Sequence, residues 1–123
     1  MNNKFLVKGN SMLPLIKDKF HVIIKYTKDV NFGDIIIFKR KKYVVHRIIK
    51  INKNIITKGD NNYFFDKQIK KSQVIAKVIK IQNNNVNNYN NKIIAFISCL
   101  EGKISSKNKL VHSIFRRLIL IFS

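Results

Sequence analysis

The sequence predicts a mainly β domain of short antiparallel strands followed by a helical tail. Three observations carry this. The first two thirds consist of short Ile/Val/Phe-rich runs punctuated by Gly, Asn and Asp. After an Asn-rich stretch at 82–91 the apolar spacing becomes helical. A length of 123 residues suits one compact domain. With 46% hydrophobic and 25% charged residues, such a chain can bury roughly two thirds of its unfolded surface and fold on its own core.

Taken in order, the β-branched runs place strands at 5–7, 20–26, 34–40, 43–51, 54–58 and 74–81. The polar stretch at 39–42 is short enough to turn one strand back on the next, so 35–38 should pair antiparallel with 44–48. The stretch 82–91 lacks apolar periodicity and reads as a linker or exposed loop. The expected organisation is a β domain over 1–82, an Asn-rich linker over 83–91 and a basic amphipathic helical tail over 92–123. No repeat recurs at about 20 to 50 residues, which removes solenoids and propellers.

Charge narrows the partners. Twenty-five Lys and Arg against 6 Asp and Glu leave a formal +19, a field drawn to phosphate, anionic lipid or acidic chains. Nucleic acid is the weaker expectation: the basic residues run through the whole chain, including 39–42, with no recognition motif, and an AT-biased coding sequence enriches Lys, Asn and Ile together. Cys99, the single cysteine, forms no internal disulfide and no Cys-rich zinc site. The first eight residues are too short and polar for a secretory signal, and the apolar runs at 93–100 and 118–122 fall short of the roughly 20 residues that cross a bilayer. The tail from Lys107 to Ser123 sets Leu110, Val111, Ile114, Phe115, Leu118, Ile119 and Phe122 at helical spacing among Lys107, Lys109, Arg116 and Arg117. That composition suits a helix lying in an anionic membrane interface, and equally a terminal helix packed on the domain or on a second copy.

The sharpest local signal is Gly9-Asn10-Ser11-Met12-Leu13-Pro14. Glycine allows close backbone approach or positive φ, while Pro14 restricts Leu13, so Ser11 is presented in one geometry. Such a serine is commonly just a turn hydroxyl; as a nucleophile it needs a base. His21 opens a strand, His112 sits in the tail, and His46 lies in Tyr43-Val44-Val45-His46-Arg47-Ile48-Ile49, on the strand face of Val44 and Ile48. A histidine base needs an acceptor for its other ring N–H, usually a carboxylate. Asp60, in Lys58-Gly59-Asp60-Asn61-Asn62, and Asp66, after Phe64 and Phe65, are the candidates, and chemistry alone does not separate them.

Together these pieces resemble the type I signal peptidase family and its self-cleaving repressor relatives, whose nucleophile lies in a Ser-Met-x-Pro box, here Ser11-Met12-Leu13-Pro14. The second box looks like Gly33-Asp34-Ile35-Ile36-Ile37-Phe38 and the base box like Val45-His46-Arg47-Ile48. Typical bacterial members carry lysine where this chain has His46; the histidine form, followed by Gly59-Asp60-Asn61 and Asp66, is similar to the endoplasmic reticulum and sporulation-type branch. The resemblance spans about residues 5–81 and implies a small antiparallel β-barrel or coiled sheet, with Ser11 as nucleophile, His46 as base, Asp66 as orienting acid and Asp60 holding its loop. Many members carry a serine two residues before the nucleophile; Gly9 stands there, so oxyanion stabilisation falls to backbone N–H, foremost that of Ser11 itself, with Gly9 and Asn10 supporting the loop.

The expectation is a serine endopeptidase, without metal or organic cofactor, that cuts signal or leader peptides from precursor polypeptides after small residues, with Met12 and Val45 near a shallow apolar pocket. Alternatives are a maturation protease for one dedicated precursor, a non-catalytic relative and a basic nucleic-acid binder. Membrane association through the tail is expected with its side open; the lack of an N-terminal anchor in the sequence leaves the cytoplasm compatible.

Overall fold

A computed structural model describes residues 3–104 and 108–123. Lys107, the first residue of the expected basic tail, lies outside the described residues. Seven strands form one antiparallel sheet: β1 (Lys4–Leu6), β2 (His21–Tyr26), β3 (Ile35–Lys39), β4 (Tyr43–Ile51), β5 (Ile55–Lys58), β6 (Val74–Ile81) and β7 (Asn84–Asn85). Two helices follow, α1 (Asn91–Ile104) and α2 (Lys109–Phe122). The strand order is β1-β2-β6-β3-β4-β5, with β7 pairing β6, and the sheet does not close into a barrel. The mainly β fold class with a helical end is as the sequence reads.

Register follows from burial. In β3, Ile35 and Ile37 enter one core with Val45, Ala76 and Val78, while Ile36 and Phe38 enter a second with Ile48, Ile55 and Val74. With both faces covered, the strand is a continuous apolar run rather than an alternating one. Truncating the fully buried Phe38 to Ala should cost about 3 to 5 kcal/mol. The expected hairpin forms, with Ile35 opposite Arg47 and Phe38 opposite Val44 across the turn at 40–42. His46 extends on the Val44 and Ile48 side, its ring edge-on to Phe38 at 6.4 Å. Bulges between Ile23 and Ile24, Ile37 and Phe38, and Ile48 and Lys50 add local twist and coil the sheet. Coiling brings Phe5 of β1 edge-on to Tyr43 of β4, at 6.0 Å, although the two strands do not pair.

The Asn-rich stretch is occupied by structure. β7 folds back on β6, a 3-10 turn spans Val86–Asn88, and Val86 and Tyr89 pack against the first core. Asn91 opens α1 and donates its side-chain N–H to the Val86 carbonyl. The helices seat one face each on that core, through Ile94 and Ile97 of α1 and Phe115 and Ile119 of α2. No described helix is long and apolar enough to cross a membrane.

Candidate active site

Strand β1 ends where Val7 pairs with Phe20, and the chain turns at Gly9, whose φ of +91° favours glycine. The Gly9 N–H donates to Asp18 Oδ1 at 2.7 Å, a role for Asp18 that no flanking pattern announces. Asn10 O accepts from Leu13 N at 3.3 Å, the Leu13–Pro14 bond is cis, and Met12, Leu15 and Ile16 plug the turn into the core. Met12 is 1% exposed, so it anchors the turn from below and does not line the groove beside Ser11; Val45 does line it. Among the described residues the Ser11 N–H donates to no acceptor.

Three elements bring the polar side chains together. His46 Nε2, on β4, lies 3.1 Å from Ser11 Oγ, and His46 Nδ1 lies 2.5 Å from Asp66 Oδ2. An ionised carboxylate only accepts hydrogen bonds, so Nδ1 carries the ring proton and Nε2 presents its lone pair to the serine hydroxyl. Asp66 is held against β5 twice: its N–H donates to Thr57 O at 2.9 Å and its Oδ2 accepts from Thr57 Oγ1 at 2.7 Å. Thr57 is fully buried, and no sequence signal singles it out; only the register of β5 against β4 puts it there.

Asp60 is elsewhere. Fully buried, it accepts from Arg47 Nε at 3.0 Å and Arg47 Nη2 at 2.9 Å, while Arg47 Nη1 donates to Gly33 O and Asn91 Oδ1. One guanidinium thus ties the 59–62 turn, the start of β3 and the start of α1 together, which keeps a buried ion pair tolerable. The turn presses on the serine: a Cβ on Gly59 would sit 2.6 Å from the Ser11 carbonyl oxygen, and Asn61 N–H donates to that oxygen at 2.8 Å. Residue 59 must therefore be glycine for the two loops to touch.

A protein-family model described as Peptidase S24-like matches residues 5–79. The chain belongs to this family. It is a serine-peptidase family that includes self-cleaving repressors. No curated protein and no solved structure matches the chain.

In this S24-like domain the serine stands at the end of an apolar groove of about 720 Å³, lined on one side by Phe5, Leu6 and Val7 and on the other by Tyr43, Val44 and Val45. Among the described residues strand β1 pairs only with β2, and β5 pairs β4 only from Arg47 onward, so both walls have an open backbone edge. A second polar cluster lies behind the serine. Lys58 Nζ donates to Glu101 Oε1 at 2.9 Å and Ser98 Oγ at 2.9 Å, and Arg116 bonds the same carboxylate. Burial pushes the Lys58 ammonium and the Arg116 guanidinium below their ordinary values, with Glu101 opposing the shift in both. Among the described residues no three His, Cys, Asp or Glu side chains converge as a metal would require.

Proposed function

We propose that this protein is a serine endopeptidase that removes signal or leader peptides from precursor polypeptides, cutting after small residues. The observation that carries the proposal is the hydrogen-bonded line Ser11–His46–Asp66 at the end of a groove with two open strand edges. An extended peptide fits between β1 and β4 by adding a strand, with backbone hydrogen bonds supplying affinity. The valines at 7, 44 and 45 make a shallow apolar wall that suits small side chains beside the scissile bond.

In that pose His46 Nε2 takes the Ser11 proton as Oγ attacks the scissile carbonyl carbon, and Asp66 stabilises the imidazolium formed. The Ser11 N–H, with Gly9 and Asn10 shaping its turn, faces the developing oxyanion. Collapse breaks the C–N bond, His46 returns the proton to the leaving amine, and a water activated by the same imidazole hydrolyses the acyl-enzyme.

An anionic membrane is the surface on which we place it. Ile93, Phe96 and Leu100 of α1 and Leu110, Ile114 and Ile121 of α2 are exposed on the helices' outer faces. The single carboxylate of either helix, Glu101, is buried. Apolar ridges without exposed acid suit a negatively charged lipid interface, whereas two copies of a +19 chain repel.

The test is mass-spectrometric mapping of signal-peptide-bearing precursors incubated with anionic lipid and wild-type protein, Ser11→Ala or His46→Ala. Cleavage after a small residue that disappears in both variants is expected. Cleavage of one cognate precursor alone would select the dedicated maturation protease; equal inertness of all three proteins would overturn the peptidase reading.

A further inference from the structure

Behind the nucleophile turn, one side chain reaches both the turn and α2. Asn61 Nδ2 donates to Asn10 O at 3.0 Å while its backbone N–H holds Ser11 O. Its remaining polar atom, Oδ1, lies 3.2 Å from His112 Nε2. The amide orientation is dictated chemically, because the Asn10 carbonyl needs a donor and therefore takes the NH2 end. Oδ1 is left facing His112, and Nε2 must then carry a proton.

The other ring nitrogen sets the same demand. His112 Nδ1 is 2.5 Å from Glu101 Oε2, and Oε1 of that carboxylate accepts from Lys58 and Arg116. A carboxylate that accepts from two cations serves as acceptor only, so Nδ1 must donate as well. Both ring nitrogens donate only in the imidazolium. The Tyr63 ring, 4.3 Å from the imidazole and tilted by 37°, offers it an aromatic face, which favours a cation. Against this stand the positive charges of Lys58 and Arg116, with Asp60 acting on both from the turn beside them. Of the three bases around Glu101, imidazole is intrinsically the weakest.

We propose that His112 is a positioning residue, whose Nε2–H holds Asn61 so that Asn61 pins the carbonyls of Asn10 and Ser11 and with them the nucleophile turn. When His112 loses its proton, its Nε2 lone pair faces Asn61 Oδ1. The amide must then either tolerate the repulsion or rotate and release Asn10 O. Helix α2 thus belongs to the scaffold of the reactive serine, and the turn is firmest while His112 is charged.

The proposal deepens the peptidase reading, and its test has a readout independent of activity. Amide hydrogen exchange is followed by NMR on the full chain for wild type, His112→Ala and His112→Gln, over a pH series that runs from mildly acid to alkaline. Protection of the Asn61 N–H is compared with that of Ile48 N–H, which bonds Asp34 O at 2.8 Å away from the cluster. Wild-type Asn61 protection should fall about tenfold as pH rises, roughly what one net hydrogen bond supports. It should be low across the series in His112→Ala and pH-independent in His112→Gln, with Ile48 unaffected throughout. Asn61 protection unchanged by pH in wild type, or unchanged in His112→Ala, would overturn the proposal; if the alanine variant fails to fold, the wild-type profile and the glutamine variant decide. In parallel, Ser11 labelling by a fluorophosphonate should slow several-fold in His112→Ala and recover in His112→Gln, whose amide N–H can again donate to Asn61 Oδ1. Should wild type not label at all, the peptidase reading fails, and the exchange data still judge the role of His112.

Discussion

Asp60 and Asp66 lie six positions apart in the chain, and replacing each should produce opposite defects. Asp66→Asn leaves a side chain of nearly the same shape on a residue whose carboxyl is about one-fifth exposed, so the fold should lose only about 1 kcal/mol. The amide, however, can donate to His46 Nδ1, which moves the ring proton to Nε2 and points N–H instead of a lone pair at Ser11 Oγ. In a Ser-His-Asp arrangement that wrong tautomer costs about 10⁴-fold in turnover, or about 5 kcal/mol of barrier. Asp60→Ala instead strips the partner from Arg47, a guanidinium with no solvent exposure, and an uncompensated buried charge costs about 3 to 5 kcal/mol. For a 123-residue domain each kcal/mol moves Tm by about 4 °C, so the loss should be about 12 to 20 °C. Fluorophosphonate labelling of Ser11 and thermal melting by circular dichroism read the two effects separately. Near-wild-type labelling in Asp66→Asn, or a near-wild-type Tm in Asp60→Ala, would refute the division of labour between the two carboxylates.

Thr57→Val keeps the buried volume and removes the hydroxyl bonded to Asp66 Oδ2; labelling of Ser11 should slow about tenfold with Tm lowered by only a few degrees. Gly59→Ala drives a methyl against the Ser11 carbonyl, with the Asn62 side-chain amide crowding it as well, and should cost about 1 to 3 kcal/mol in urea unfolding while also slowing labelling. Lys58 provides a pH signature. Its folded pKa lies below its unfolded value because of burial, so the unfolded chain binds more protons and this residue's penalty is relieved as pH rises toward 10.5. Unfolding free energy should therefore climb more steeply between neutrality and pH 10.5 in wild type than in Lys58→Met, and parallel curves would refute the assignment. Sedimentation with vesicles should be strong for phosphatidylserine, weaker at high salt, and reduced several-fold in a variant carrying Leu110→Ser, Ile114→Ser and Ile121→Ser; equal binding to neutral vesicles would remove the electrostatic part of the argument.

The strands were legible because their apolar runs answer to local rules. Ile35-Ile36-Ile37-Phe38 reads as a strand on β-propensity alone, and the polar residues that follow turn the chain at 40–42. The serine turn was legible for the same reason, since Gly9 and Pro14 act on the backbone next to them. Asn84 and Asn85 carry no apolar signal, and their short strand exists because the edge of β6 lies beside them. Met12 looked like a pocket residue from its place beside Ser11, yet it faces inward, since the turn needs an apolar plug more than the groove needs a wall.

Sequence by itself determined a strongly basic, mainly β chain with Ser11, His46 and two candidate carboxylates in order along it. What only the tertiary structure decided is which groups meet. Asp66 reaches His46 because Thr57 anchors it to β5, and Asp60 faces away because Arg47, one position after His46, projects to the opposite side of β4. Asn61 and His112, 51 residues apart, touch because α2 lays one face on the core. Hydrogen bonds reach about 3 Å and depend on register and side-chain direction. Neither is encoded at any single position; both emerge when distant strands and helices bury their apolar faces together.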